Sequence, residues 1–138
     1  MKDEKLKYQL LKINLCDCRP IIENYIYHIK TPVKQRVSCS GGNYKYYTSI
    51  YEFLIIAENG EKQAIILRCD DIDLHWYVLK HWRGQHILSN ALRTGVIKKN
   101  WPENKSITCC YNWNDNFEKK RQMTMHLAEI AGLEFKED

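Results

Sequence analysis

The sequence has little that would mark a membrane, secreted or disordered protein. Its 138 residues include only three prolines and six glycines, too few for a low-complexity chain. Its apolar runs fall far short of the roughly 20 residues that span a bilayer. The charged N-terminal residues 1–5 are followed by no signal-peptide core. We therefore expect a cytoplasmic protein with one compact domain, residues 1–138, and no membrane partner.

The sequence also lacks the spacing of a metal site. Its six cysteines form no CxxC pair, and in a chain that is not exported they are expected to be thiols. His75, His81 and His86 lie near several acidic residues, but their spacing does not place them on one helical face. The aspartates at 70, 71 and 73 are explained by capping of a following helix. No metal and no other cofactor is predicted.

Catalytic motifs are equally scarce. The small residues at 38–42 lack the Gly-Lys-Ser/Thr ending of a phosphate-binding loop. Residues 61–63 lack the ExK spacing of metal-dependent nucleases, and nothing distinguishes one cysteine as a nucleophile. We therefore expect no catalytic residue and a protein that acts by binding. A small Cys/His-dependent or metal-dependent enzyme remains an alternative.

Apolar periodicity and turn residues predict an α+β fold. We expect a mainly antiparallel sheet of four to five strands with helices packed on it, in the order β-α-β-β-β-α-α-β-α. The strongest local signal is Asn59-Gly60, which is typical of a type I′ hairpin turn. The predicted strands cover residues 6–15, 33–39, 44–57, 61–69 and 107–113, and the predicted helices cover residues 20–29, 72–82, 85–94 and 115–131.

The hairpin provides the first candidate site. With Asn59-Gly60 at the turn, opposing residue numbers sum to 119. Tyr47 and Tyr51 then share a face with Arg68, which lies opposite Tyr51. Aromatic rings beside an arginine form a stacking platform for a base or another planar anionic group. The alternative is that helices cover this face and Arg68 extends to its rim.

The predicted helices at 72–82 and 85–94 provide the second candidate site. Their lengths and the turn between them approximate a helix-turn-helix, which would place polar residues of the second helix in a major groove. The first helix is apolar nearly all round, so a buried helical hairpin is the alternative. The candidate contact residues on this pair are Arg83, His86, Asn90 and Arg93.

Charge and composition favour an anionic partner. The net charge of +4 is a modest basic excess, and it permits phosphate contacts. The abundance of Lys, Ile, Asn and Tyr is typical of AT-rich coding genomes such as those of many phages and mobile elements. We expect a small regulator or inhibitor that acts on a nucleic acid, a nucleotide or a nucleoprotein complex. The alternative is a protein–protein module with an aromatic hot spot.

Overall fold

The computed structural model describes residues 3–69, 73–109 and 117–137. These contain four α-helices and one mixed sheet of seven strands whose spatial order follows the chain. Strands β1 to β5 are antiparallel to their neighbours, whereas β6 is parallel to β5 and β7 to β6. The elements are α1 (Asp3–Lys12), β1 (Arg19–Ile22), β2 (Ile26–Ser38), β3 (Tyr44–Glu58), β4 (Glu61–Cys69), β5 (Asp73–Val78), α2 (Ile87–Leu92), α3 (Val96–Asn100), β6 (Ser106–Cys109), α4 (Phe117–Ala131) and β7 (Glu134–Glu137).

The α+β class is therefore confirmed, but the predicted strand number and element order are wrong. The final strand β7 was not predicted, because its four residues include three charged side chains and only Phe135 is apolar. Helix α4 agrees with its prediction, and Gly132 adopts a positive φ of 71° just after its end. The predicted caps at Asp70, Asp71 and Asp115, and the end of the predicted strand 107–113, lie outside the described residues.

The N-terminal segment is helix α1 and not the predicted strand. Leu6, Leu10 and Ile13 are buried at spacings of four and three, whereas Tyr8, which fitted the strand pattern, is 61% exposed. The ammonium group of Lys62, on strand β4, donates hydrogen bonds to the carbonyl oxygens of Leu10, Leu11 and Ile13. A cation at this position satisfies carbonyl groups that a helix end leaves without partners.

The predicted helix over residues 20–29 is also wrong, because the segment forms β1, a tight turn and the start of β2. Asn24 in that turn has a φ of 62°, a conformation that ends any regular helix. The Tyr25 amide donates to the Ile22 carbonyl at 3.0 Å and closes the turn. Four isoleucines in the segment also fit a strand, since β-branched side chains pack well on a sheet.

The predicted helix over residues 72–82 is replaced by strand β5 and a short 3₁₀ turn at Lys80–Trp82. Leu74, Trp76 and Val78 face one side of the sheet, and His75 and Tyr77 face the other; all five are buried. A strand buried on both faces has no polar side, so its sequence lacks the alternation that identifies a strand. The helix-turn-helix prediction is therefore wrong, because its first helix does not exist.

The central hairpin of β3 and β4 has the predicted turn and nearly the predicted bounds. Asn59 and Gly60 have φ values of 52° and 78°, as a type I′ turn requires. The register shifts after Ala57 pairs with Lys62, because Gln63 is an extra residue on β4 and Ile56 pairs with Ala64. Beyond this β-bulge the β4 side chains from Ala64 to Arg68 point to the opposite face from the one predicted.

Two apolar cores flank the sheet. Helices α2, α3 and α4 cover one face, where Leu54, Ile66 and Trp101 are almost fully buried. Helix α1 covers the other face, where Phe53 and Ile65 are fully buried. The central strands are therefore packed on both faces, and they support the parts of the sheet that project beyond the two cores.

Candidate nucleic-acid interface

The most unusual feature of the fold is a long two-stranded extension of β2 and β3, which we call the arm. Eight residue pairs join positions 31–38 to positions 44–51, a ribbon about 27 Å long at the usual rise per residue. Among the described strands, β1 pairs with β2 only at residues 26–28, and β4 pairs with β3 only from Glu52 onward. Neither outer edge of the arm therefore carries a further strand in the described part of the chain.

The tip of the arm is a tight turn. A 3₁₀ segment at Ser40–Gly42 joins the two strands, and Cys39 donates its amide to the carbonyl of Asn43 at 2.8 Å. Gly41 and Gly42 have φ values of 81° and 77°, which side chains other than glycine rarely tolerate. A Cβ at either glycine would meet nothing within 4 Å, so the turn stands in open solvent.

The arm and Lys30, the residue just before it, carry charge of one sign only. Residues 30–51 contain Lys30, Lys34, Arg36 and Lys45, and no aspartate or glutamate. The whole chain has a net charge of only +4, so this segment holds as much positive charge as the entire protein has in excess. A projecting element of this kind concentrates positive potential where a partner can reach it.

One face combines three of these charges, Lys30, Lys34 and Arg36, with aromatic rings, whereas Lys45 lies on the other face. Side chains of opposing residues share a face in an antiparallel pair. Lys34 lies over the ring of Tyr46 with Nζ 4.5 Å from the centroid, and Arg36 lies over Tyr44 with Cζ at 4.3 Å. We call this surface the basic face. Its exposed members are Lys30, Pro32, Lys34, Arg36, Tyr44, Tyr46, Thr48 and Ile50.

The other face of the arm anchors it to the domain. Val33 is only 9% exposed and belongs to the core beneath α1, together with Leu6 and Leu10. Tyr51 is half-buried at the margin of the same core, with its ring centroid 6.2 Å from that of Phe53. This packing fixes the base of the arm, so the basic face is presented in a defined direction.

A partly buried carboxylate lies just beyond the base of the basic face. Glu52 accepts hydrogen bonds from Trp101 Nε1 at 2.7 Å and Arg68 Nη1 at 3.1 Å, and its Oε2 lies 2.7 Å from His28 Nε2. Burial alone would raise the pKa of Glu52, but these hydrogen bonds and the neighbouring charges outweigh it and lower the pKa. The cluster therefore holds Glu52 as a carboxylate whose charge is used within the protein.

Glu52 should make stability depend on pH in the acidic range. Its pKa is lower in the folded chain than its usual value near 4.5, so its stabilisation is complete above that value and is lost as pH falls through the folded pKa. We expect Glu52→Gln to lower the free energy of unfolding by about 1–2 kcal/mol at neutral pH. Urea unfolding between about pH 7 and pH 3 should show the two proteins converging at the acidic end. A constant difference across that range would contradict this role.

The structure separates the residues of the predicted stacking platform. Tyr47, which is 47% exposed, and Tyr51 lie on the face of β3 that is anchored under α1. Because of the Gln63 bulge, Arg68 pairs across from Glu52 and not from Tyr51, and so it lies on the opposite face. Arg68 also contacts Glu103 at 3.3 Å and lies 6.0 Å from the Trp101 ring centroid. The predicted juxtaposition of Tyr51 and Arg68 is wrong.

The second set of predicted residues lies around helix α2. Arg83 donates from Nε to the Val78 carbonyl at 3.0 Å and lies 5.3 Å from the Tyr77 ring centroid. His86 precedes α2 with a φ of 59°, and Arg93 contacts Asn90 at 3.5 Å. All four predicted residues are exposed. Asn90 lies on α2 and the other three flank it, but α2 has only six residues and no partner helix of the predicted kind precedes it in residues 73–86.

Sequence reasoning missed the basic face itself. Lys34, Arg36, Tyr44 and Tyr46 were not singled out, although 30–51 is a long segment without a carboxylate. Their spacing of two along each strand was the available signal, because it places like residues on one face. Combined with the predicted turn at residues 40–43, it would have paired the cations with the tyrosines.

A polar cluster around Asp73 has a structural role. The Asp73 carboxylate accepts hydrogen bonds from Ser106 at 3.1 Å and from Thr108, and it lies 3.5 Å from His75 Nε2. The Asp73 carbonyl accepts from Asn104 at 2.9 Å. These contacts join β5 to β6 and the loop before it. Within the residues that the structure describes, no group of three or more His, Cys, Asp or Glu side chains could hold a metal ion.

The chain was compared with family models, curated proteins and solved structures. None of them matches it. Across the described ranges, no helix combines the length and apolarity needed to cross a membrane. The interpretation of the arm therefore depends on its own chemistry.

Proposed function

We propose that this protein binds nucleic acid through the basic face of the arm and acts as a small, non-enzymatic regulator. The observation that carries the proposal is the combination of four cations and no carboxylate over residues 30–51, with three of the cations on one face of a ribbon that projects from the sheet. Two-stranded ribbons are an established means of nucleic-acid contact, and lysine and arginine supply the phosphate contacts. An inhibitor of a nucleoprotein complex, of the kind that phages and mobile elements encode, would use the same surface in the cytoplasm.

The geometry supports phosphate contact more than catalysis. The cations of the basic face are exposed, and Lys34 and Arg36 lie over tyrosine rings. Within the described ranges, neither forms an ion pair with a carboxylate. A phosphate can therefore approach them without first breaking an ion pair to an acidic residue of the arm. The partly buried carboxylate nearest the arm, Glu52, is already bound by its own donors.

Binding should weaken steeply as salt rises. Contact of the three cations of the basic face with phosphates releases a similar number of counterions, which gives a log–log slope of about −2 to −3. We expect the affinity for a labelled oligonucleotide of about 12 nucleotides to fall about 16- to 60-fold between about 50 mM and about 200 mM salt. Fluorescence anisotropy measures this directly. Absence of saturable binding at the lower salt, or a slope near zero, would refute the proposal.

A protein partner is the second candidate, because exposed tyrosines and arginine are also typical of interface hot spots. Pull-down with the purified chain from nuclease-treated and untreated lysates separates the two. Nucleic acid as the partner predicts that captured material disappears after nuclease treatment. A single protein retained equally in both lysates, and lost with Tyr44→Ala/Tyr46→Ala, would favour the protein interface.

A further inference from the structure

We infer that the basic face binds single-stranded nucleic acid, with bases stacked on Tyr44 and Tyr46 and phosphates on Lys34 and Arg36. This inference rests on the proposed function and adds which form of nucleic acid the arm selects. It starts from two side chains whose exposure the fold does not explain. Tyr44 and Tyr46 are 53% and 60% exposed, and neither belongs to the apolar cores.

The spacing of the two rings decides between single strand and duplex. Tyr44 and Tyr46 are two residues apart on one strand, so their side chains leave the ribbon about 6.8 Å apart. Bases stacked within a duplex are about 3.4 Å apart along each strand, and their faces are covered by one another. Rings at twice that spacing match neighbouring bases only when the strand is extended and its bases are unstacked, as in single-stranded recognition.

The cations complete the site for such a strand. Each ring already carries a cation from the neighbouring strand, at 4.5 Å for Lys34 and 4.3 Å for Arg36. The other face of each ring can therefore accept a base, while the cation over the first face meets the adjacent phosphate. Alternating aromatic and basic side chains along a groove or ribbon is the arrangement that binds single strands with little sequence preference.

Thr48 and Ile50 extend the same face toward the base of the arm, and Lys30 lies beyond them across from Glu52. Ile50 is 66% exposed and offers an apolar surface in line with the two tyrosines. The basic face therefore has room for further nucleotides toward the base of the arm, where a third phosphate can contact Lys30. A strand of three to four nucleotides along the ribbon would use the whole basic face.

The test compares four probes of about 12 nucleotides by fluorescence anisotropy. These are a mixed-sequence DNA single strand, the RNA of that sequence, the corresponding DNA duplex, and an abasic strand with the same phosphates and no bases. We expect at least one of the natural single strands to bind about tenfold or more tightly than the duplex and the abasic strand. Comparison of the DNA and RNA single strands identifies which sugar is preferred.

Variants assign the effect to the rings. Tyr44→Ala/Tyr46→Ala is expected to weaken single-strand binding about 30-fold or more and to leave abasic-strand binding nearly unchanged. Tyr44→Phe/Tyr46→Phe should retain binding, because stacking does not need the hydroxyl. Tyr8→Ala is the matched control: Tyr8 is exposed on α1 with Lys12 5.8 Å from its ring centroid, and its loss should have no effect.

The outcomes separate this inference from the proposed function. If the duplex binds as tightly as the single strands, or the double alanine variant behaves as Tyr8→Ala does, the stacking inference is overturned while phosphate binding by the arm stands. If none of the four probes binds, the proposed function fails with it. Circular dichroism of each variant confirms that folding is intact, which is expected because both tyrosines are exposed.

Discussion

Replacing Lys34 and Arg36 together with glutamate is expected to weaken nucleic-acid binding about 100-fold or more at about 0.1 M salt. Removing two phosphate contacts alone costs nearly two orders of magnitude at that ionic strength. Reversing the charges adds repulsion between the arm and the phosphates. The salt dependence should also become shallower, with a slope smaller by about 2. Anisotropy titrations at several salt concentrations measure both effects.

Lys98→Glu/Lys99→Glu is the matched control for this experiment. These two lysines are exposed on α3, and their replacement changes the net charge of the chain by the same amount. We expect less than about a fivefold effect, because charges away from the contact act only through the screened field. If both double variants weaken binding equally, a diffuse field of the whole protein carries the binding, and the arm does not.

The sequence predicted the central hairpin well because its signals are local. Asn59-Gly60 determines a turn by its own backbone preferences. The strands on either side can be predicted from the pattern of residues within a few positions of each other. The bulge at Gln63 has no such local signal. It becomes visible only when the two strands are paired, so a correct turn still gave the wrong face for Arg68.

The errors at α1 and β5 have a common physical cause. Each segment is packed by partners far away in the chain, and local periodicity was misleading in both. In α1, Tyr8 fitted a strand pattern although it lies in solvent. In β5, His75 and Tyr77 are buried on the face opposite to Trp76, and this removed the polar alternation of a surface strand.

The candidate site was only partly predictable for a related reason. Tyr47 was selected because it is aromatic and near Arg68 in the assumed register, whereas the exposed rings of the basic face are Tyr44 and Tyr46. Which of the neighbouring tyrosines lies beside the cations depends on how β2 pairs with β3. This pairing brings Lys34 and Arg36 over the rings of Tyr46 and Tyr44. The sequence also does not predict that α1 covers the other face of the arm at its base, because the pattern of residues 6–15 predicts a strand there.

Trp101→Ala is expected to cause the largest loss of stability of any variant considered, about 3–5 kcal/mol. Trp101 is only 1% exposed and is among the largest fully buried side chains. Its removal leaves a cavity beside α2 and α3 and takes from Glu52 a donor at 2.7 Å. The cation–π contact with Arg68 and the edge contact with His28, at 6.4 Å between centroids, are lost as well.

Trp101→Phe separates packing from hydrogen bonding. It keeps most of the ring volume but removes the indole N–H, so we expect a smaller loss of about 1–2 kcal/mol. Urea unfolding should be followed by far-ultraviolet circular dichroism, because tryptophan fluorescence changes with the substitution itself. Equal losses for the two variants would show that the Glu52 hydrogen bond, and not the packing of the ring, dominates the contribution of Trp101.

The hydrogen bonds from Lys62 to the end of α1 affect the order in which the elements fold. Helix α1 is ten residues long, and isolated helices of that length are marginal in water. Its last carbonyl groups bind an ammonium group about 50 positions later in the chain. During synthesis α1 therefore emerges before β4, and it lacks its C-terminal partner until β4 has been made and paired. The N-terminal helix should be a late-forming element, with its contacts largely absent from the transition state for folding.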